Sequence, residues 1–362
     1  MSNSSANARN AALSSTHKYP WKWYLTDLEK VERNGRKVFS CFSCGGGSSM
    51  GYKLAGYEVI GNVEIDPRVM EVYKKNNHPK YPYLMDVRKF LEIPREQLSN
   101  EVFNLDILDG SPPCSVFSTA GEREKGWNKE KVFREGQAKQ RLDDLFFWFI
   151  EIARRLQPKV VIAENVSGLL KGNAKGYVNE ILKAFDLAGY KVQLFLLNAA
   201  SMGVPQKRER CFFIAHRKDL QYPKLVMSFK EPPIKFGEVR TETGIFVDPN
   251  SIAGKALAVR TRADKDLAMI NERTRGKRSG FCQKIDWDDD VAMTNVSGSE
   301  SYRGFDGMRQ SAGDKRNIQT FPQDYDFLDQ SANFITGMSV PPVMMAQIAS
   351  QIWEQWFSKE NG

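Results

Sequence analysis

The chain has 362 residues, enough for one large domain or two modest ones, and at 41% hydrophobic it carries ample material for a core. Charged residues make up 27%, with a formal net charge of +8 and a pI near 9.1, which excludes a largely disordered chain and favours a polyanionic partner. Five cysteines are an odd number for so long a chain and point to a reducing compartment, not a disulfide scaffold.

Residues 1–34 read as an arm. Its start, Met1 to Thr16, is rich in Ser, Ala and Asn and lacks the apolar core of a signal peptide. No apolar run anywhere approaches the ~20 residues that span a bilayer. A cytoplasmic protein with no membrane partner is therefore expected. Trp21, Trp23 and Tyr24 are the side chains expected to dock the arm.

Lys37 to Phe42 then reads as a strand, followed by the turn Ser43-Cys44-Gly45-Gly46-Gly47 and a short helix, Met50 to Ala55, stopped at Gly56. A strand, a glycine turn and a helix start form a nucleotide-cradling geometry, because glycines admit a ligand and the helix supplies N–H donors. Tyr57 to Val63 is the next strand, ending in Glu64-Ile65-Asp66. Glu64 is placed to accept from ribose hydroxyls, whereas Asp66 suits the plainer role of capping a helix over Pro67–Lys75. Tyr83 to Val87 reads as a third strand with Asp86 at its end. Cys41 and Cys44 form a CxxC pair without a second Cys/His pair, which argues against zinc and leaves both as small packing residues.

Asn104 to Leu108 is a short apolar run broken by Gly110 and Ser111. Pro112 and Pro113 then remove two donors and fix φ, so that Cys114 is presented with little freedom. A lone cysteine after a turn is commonly just a packing residue. The polar segment Ser115 to Lys139, which follows directly, suggests a lid closing over a reactive thiol.

The pattern of Leu142, Leu145, Phe146, Phe149, Ile152, Ala153 and Leu156 predicts an amphipathic helix over Arg141–Leu156. Lys159 to Ala163 reads as a buried strand ending in Glu164-Asn165-Val166, Tyr177 to Leu187 as a helix, and Lys191 to Leu197 as a strand. Gln206-Lys207-Arg208-Glu209-Arg210 leads into a last strand, Cys211 to His216. Alternating strands and helices predict an α/β fold with a doubly wound, mostly parallel sheet, whose ligands lie beyond the strands' carboxyl ends. Gly45–Gly47, Glu64, Asp86, Cys114 and Glu164 all fall at such ends, a coincidence that chance would seldom produce.

From about residue 217 the periodicity weakens. Lys255, Arg260, Arg262, Lys265, Arg273, Arg275, Lys277 and Arg278 crowd one region with few acids, as either a solvated basic face or a set of phosphate contacts. Gly337-Met338-Ser339-Val340-Pro341-Pro342 precedes a final helix.

These motifs, in this order, resemble the DNA cytosine-5 methyltransferase family of bacterial and phage type, from about Val38 to Gln347 except for roughly 217–290. Phe42–Gly51 resembles the cofactor loop, Pro112-Pro113-Cys114 the nucleophile motif and Glu164-Asn165-Val166 the acid motif. Gln206-x-Arg208-x-Arg210 resembles the arginine motif, and Gln319-Thr320-Phe321-Pro322 and Gly337–Pro341 the last two. Cys44 stands where the family usually has its first glycine, Ser115 where glutamine is common, and Met338 where asparagine is usual; Arg309–Asp314 matches its motif poorly.

The resemblance implies a division into the arm, a catalytic and cofactor-binding domain at 35–216, a smaller target-recognition domain at 217–325, and a C-terminal helix at 326–362 returning to the catalytic domain. It implies S-adenosyl-L-methionine as cofactor, held by Phe42, Ser43, Cys44, Gly45, Gly46, Gly47, Glu64, Ile65, Asp86, Val87, Pro113, Met338, Ser339 and Val340. Cys114 is then the nucleophile at cytosine C6, Glu164 the acid at N3, Asn165 the residue holding the loop, and Arg208 and Arg210 the cations. Double-stranded DNA is the implied substrate, with the target base flipped and with contacts from Ser118, Lys255, Arg260, Arg262, Arg273, Arg275, Lys277 and Arg278. A monomer is expected, with a cognate restriction endonuclease encoded separately as a possible partner. The related tRNA-methylating branch shares the chemistry. Intact Cys114, Glu164 and Arg210 argue against an inactive relative, and the Gly45–Gly47 turn lacks the Gly-x-Gly-x-x-Gly spacing of a dinucleotide oxidoreductase.

Overall fold

The computed structural model describes residues 16–113, 145–170, 175–280 and 283–360, with the backbone of 130–131 and 140–141. Cys114, Ser118 and most of the segment read as a lid lie outside the described residues. The chain divides into two compact units. One comprises Lys30–Leu197, Glu209–Met227 and Ile348–Gly362, the other Met1–Glu29, Asn198–Arg208 and Ser228–Gln347.

The first unit is built on a seven-stranded sheet. Its elements in chain order are β1 (Lys37–Cys41), α1 (Gly47–Leu54), β2 (Glu58–Glu64), α2 (Pro67–Asn77), β3 (Tyr81–Leu84), α3 (Val87–Glu92) and β4 (Ile107–Gly110). There follow α4 (Leu145–Leu156), β5 (Val160–Val166), α5 (Lys175–Leu187), β6 (Tyr190–Asn198) and β7 (Glu209–Arg217). Strand order is β3-β2-β1-β4-β5-β7-β6. The pairs from β3 to β5 are parallel and β7 runs antiparallel to β5. A mostly parallel, doubly wound sheet is what the alternating pattern predicted. The central strands are nearly continuous apolar runs because helices cover both faces, and Phe39, Phe90, Phe146, Phe149 and Phe213 fill one core cluster.

Local chemistry explains the element ends. Asp66 caps α2 by accepting from the Arg68 and Val69 amides, and Pro67 occupies the first turn, where its missing N–H costs nothing. Gly56, after α1, has φ 86°, and a Cβ there would stand 2.5 Å from the Glu32 carbonyl oxygen, so only glycine fits.

Several boundaries differ from the sequence reading. The third strand is Tyr81–Leu84, not Tyr83–Val87: it takes in Pro82, which an edge strand tolerates, and the Asp86 carboxylate captures the Arg88 amide and starts α3 at Val87. Strand β4 starts at Ile107, later than the predicted Asn104, and continues through Asp109 and Gly110. Gly110 is there for close packing, not for a turn; a Cβ on it would come within 2.4 Å of the Phe149 ring. Helix α4 is described from Leu145, whereas Arg141 pairs in a two-residue strand with Glu130. β5 runs on through Glu164, Asn165 and Val166, because β7 supplies hydrogen-bonding partners along that whole length.

In the second unit, helices Ile252–Ala258 and Leu267–Arg275 and the parallel strand pair Lys284–Asp286 and Ser301–Arg303 enclose a small core of Leu257, Leu267, Ile270, Ile285 and Tyr302. Trp21 packs with Ile234, Phe236, Val239, Ala292 and Ile318, and the Trp23 indole donates to the Thr320 carbonyl at 2.9 Å. The arm is therefore docked by Trp21 and Trp23, while Tyr24 is 46% exposed.

Candidate active site

The turn after β1 alternates into left-handed backbone, with φ 54° at Phe42, 45° at Cys44 and 81° at Gly46. The family's usual glycine is absent at 44, and the cysteine that replaces it takes a conformation that disfavours any Cβ. The reading of Cys44 as mere packing is thus incomplete, since its backbone shapes the loop; Cys41 is fully buried and its thiol is pushed far up by burial, as an inert core residue. Gly45 and Gly47 are buried in the turn. At Gly46 a Cβ would meet the Asn77 amide at 2.1 Å, so packing under the turn, not ligand approach, demands that glycine.

Glu64 ends β2 beneath this turn. Its Oε2 accepts from the Cys44 amide at 3.0 Å and its Oε1 from the Ile65 and Asp66 amides at 2.9 and 3.1 Å. Burial pushes its carboxyl up, and the three amides work against that. Ser43 is held by the Asn62 side chain at 2.8 Å, a contact that sequence reading missed because Asn62 sits inside an apolar strand. Asp86 is turned to its own helix, where Arg88 binds both carboxylate oxygens at 2.8 and 2.6 Å. Val87 is buried behind it.

The adjacent parallel strands β4 and β5 carry the nucleophile turn and the acid at the same carboxyl end of the sheet. Glu164 on β5 is 8% exposed and pairs with Arg210 on β7, Nε to Oε1, at 2.9 Å. Asn165 Nδ2 donates to the Pro112 carbonyl oxygen at 3.1 Å, while Pro113 is half-buried at the last described position before Cys114. The two arginines of one motif part company. Arg208 belongs to the second unit, 2% exposed, and donates to the carbonyls of Asn295, Gly337 and Ser339 at 3.0, 3.0 and 3.1 Å. Met338, between two of those carbonyls, ends helix Ala332–Met338 with 39% exposure; Ser339 and Val340 are buried.

The basic residues of the second unit are largely engaged. Arg260 donates to the carbonyls of Leu257, Gly304 and Phe305 at 2.7, 2.7 and 3.0 Å. Arg262 pairs with Asp289 at 2.8 Å, Lys265 with Asp290 at 3.3 Å, Arg273 with Asp264 at 2.8 Å and Arg278 with Glu272 at 3.0 Å. The region is thus less short of acids than its sequence suggests. Lys255, Arg275 and Lys277 are exposed.

A mostly parallel seven-stranded sheet with the antiparallel β7 set between β5 and β6, a glycine turn after its first strand and an acid at the end of its second is the S-adenosylmethionine-dependent methyltransferase fold. The chain belongs to the C-5 cytosine-specific DNA methylase family, whose model matches residues 36–354. It is 38% identical over 356 residues to the type II methyltransferase M.FnuDI of Fusobacterium nucleatum, covering 90% of this chain and 96% of that one. It is 30% identical to M.NgoPII of Neisseria gonorrhoeae, covering 88% and 96%. Among solved structures, the Entamoeba histolytica methyltransferase EhMeth superposes with a TM-score of 0.63 at 15% identity, covering 89% of this chain and 99% of that one. That likeness shows the fold. The protein is a DNA (cytosine-5-)-methyltransferase, and membership implies a DNA substrate and S-adenosylmethionine as methyl donor.

The residues present fit that donor. A carboxylate offers about four lone-pair directions, and the amides on Glu64 use three of them, leaving acceptor capacity for a hydroxyl. Helix α1 has no side-chain cap at Gly46, so its first amides suit an anionic group. Among the described residues no cluster is placed to hold a metal ion, and no helix is long and apolar enough to cross a membrane.

Proposed function

We propose that the protein methylates C5 of a flipped-out cytosine within a specific sequence of duplex DNA, through a covalent Cys114 adduct at C6. The observation that carries this reading is the Arg210–Glu164 ion pair beside Asn165, which itself holds the Pro112 carbonyl of the nucleophile turn. The Cys114 thiolate forms the S–C6 bond, and the C5–C6 π electrons shift through the ring towards N3, where Glu164 shares its proton. Arg210 fixes the Glu164 carboxyl and leaves guanidinium N–H groups for the base carbonyl. Glu64, itself fixed by the Cys44 amide, and the uncapped start of α1 would hold the donor, whose bound role is to supply an electrophilic methyl group. After C5 is methylated it loses its proton to solvent water, the electron pair re-forms the C5–C6 double bond, the thiolate leaves, and N3 returns its proton to Glu164.

The segment 217–325 reads the DNA, with Lys255, Arg275 and Lys277 as the exposed cations of its basic region. Relatives named as type II methyltransferases support a modification enzyme whose partner is a separately encoded endonuclease. Bisulfite sequencing of a plasmid co-expressed with the protein tests the reading. Protected cytosines in one sequence context are expected, and protection that persists in a Cys114→Ala variant would overturn the Cys114 assignment.

A further inference from the structure

The mechanism makes no use of Asp109, a carboxyl buried in the middle of the sheet. It is the third residue of β4, 2% exposed, and stands opposite Ser40 of β1 and Ile162 of β5. Its two oxygens meet two hydroxyls: Ser40 Oγ at 2.8 Å and Tyr52 Oη at 3.2 Å. Among the described residues no lysine, arginine or histidine pairs with it. The titratable groups close enough to feel its charge are Cys41 from β1, Tyr52 from α1, Tyr73 from α2 and Glu164 from β5, the last paired with Arg210 of β7. None of the first four is a cation, and all four become anions on ionising.

The position of those partners gives the carboxyl a purpose. Ser40 lies two residues before the left-handed turn that begins at Phe42. Tyr52 sits on α1, the helix that starts at the glycines. Asp109 itself precedes Pro112 by three residues. One side chain thus joins both flanks of the cofactor turn to the strand that delivers the nucleophile. Both hydroxyls donate to the carboxyl, and a neutral acid keeps the joint because its carbonyl and hydroxyl oxygens can each accept. A carboxylate there would be a buried charge without a counter-ion and would face the Glu164 carboxylate as well.

We propose that Asp109 is a positioning residue that works as a neutral acid, locking the cofactor turn to the nucleophile strand, and that its ionisation loosens that lock. This rests on reading the turn as the donor site and Cys114 as the nucleophile. Burial pushes the Asp109 carboxyl up to about 7, with Glu164 adding to the rise and the two hydroxyls opposing it.

The sign follows from the two states. Unfolded, an aspartate titrates near ~3.9. Between that value and about 7 the folded protein holds the extra proton, so stability from this group is whole at low pH and lost as the pH rises through that window. Asp109→Asn keeps an acceptor and a donor without the charge; Asp109→Ala removes the joint.

The first measurement needs no activity: the thermal midpoint against pH for the unliganded wild type and both variants. The wild-type midpoint should fall between about pH 4 and 7 relative to Asp109→Asn, and superimposable curves would overturn the proposal. Infrared difference spectra should show a protonated-carboxyl C=O band in the wild type below the transition that is missing from Asp109→Asn. A carboxylate signal there instead would also overturn it. The third readout is the KM for S-adenosylmethionine, which should rise several-fold on the alkaline side in the wild type and stay flat in Asp109→Asn, with kcat moving less. A pH-independent KM in the wild type would sink the link to the cofactor turn. Loss of methylation in every protein at every pH, with the stability curves as expected, would instead fault the functional reading of the turn and leave the buried acid in place.

Discussion

Arg210 Nε lies 2.9 Å from Glu164 Oε1 because of a diagonal across two antiparallel strands. Arg210 stands opposite Val166, and Glu164 is two residues from Val166, so both side chains leave the same face of the sheet within reach of each other. The register of two strands, not a loop, sets the position of the acid. A strand-held pair is well suited to the accurate placement that proton transfer requires.

Glu164→Gln keeps the shape and loses the proton. It should lower kcat by about 10²–10⁴-fold while leaving DNA affinity close to wild type, as expected for removal of a general acid. Arg210→Lys keeps the charge and loses the planar fork, so it should fall between wild type and Arg210→Ala in kcat/KM. Single-turnover methylation measures both. Equal activity of Arg210→Ala and wild type would mean that the pair is only structural.

Trapping tests the nucleophile separately. DNA carrying 5-fluorocytosine at the target should form a denaturation-resistant adduct with the wild type, because the fluorine cannot leave as a cation to release the thiol. Cys114→Ala should bind the same DNA without forming the adduct. An adduct on Cys114→Ala, mapped by peptide mass to another cysteine, would end the assignment.

The parts of this molecule that sequence reveals are those with local causes. The Asp66-Pro67 helix start, the apolar runs of β1 and β2 and the periodic face of α4 each follow from neighbours a few residues away. Where long-range packing decides, the reading fails. Asp109-Gly110 has turn chemistry but continues a strand, because Phe149 needs the space above the glycine and Ser40 and Tyr52 take the carboxyl. Arg208 and Arg210 look equivalent in sequence, yet one is bound by carbonyls at 295, 337 and 339 and the other by Glu164. No local pattern announces those partners.

The basic region should divide by partner. Arg275 and Lys277 are exposed, and neutralising both should lower the slope of log affinity against log salt by up to about 2, near 0.9 for each phosphate no longer neutralised. Arg273 is different: it pairs with Asp264, which is 3% exposed, and donates to the Val259 carbonyl. Arg273→Ala should therefore lower the unfolding midpoint with little effect on the salt slope. Salt titrations of duplex binding and urea denaturation of both variants check this, and an Arg275/Lys277 variant with an unchanged slope would mark that face as merely solvated.

The cofactor turn offers a sharper test, since two neighbouring positions should respond with opposite sign. Cys44 holds φ 45°, where a Cβ costs about 1–2 kcal/mol, while its amide still reaches Glu64. Cys44→Gly removes that strain but gives the unfolded chain more freedom, worth about 0.4–1 kcal/mol, so the net change should be between zero and about 1.6 kcal/mol of added stability. Cys44→Ala keeps the Cβ and should show no such gain, which separates the backbone effect from loss of the thiol. At Gly46 the backbone is also left-handed, at φ 81°, but there the space beside Cα is filled by Asn77 and Tyr73. Gly46→Ala should lose more than about 1 kcal/mol, because strain and overlap act together. Urea denaturation of the three variants decides the matter. A Cys44→Gly protein less stable than Cys44→Ala would mean that the left-handed turn is not strained at that residue.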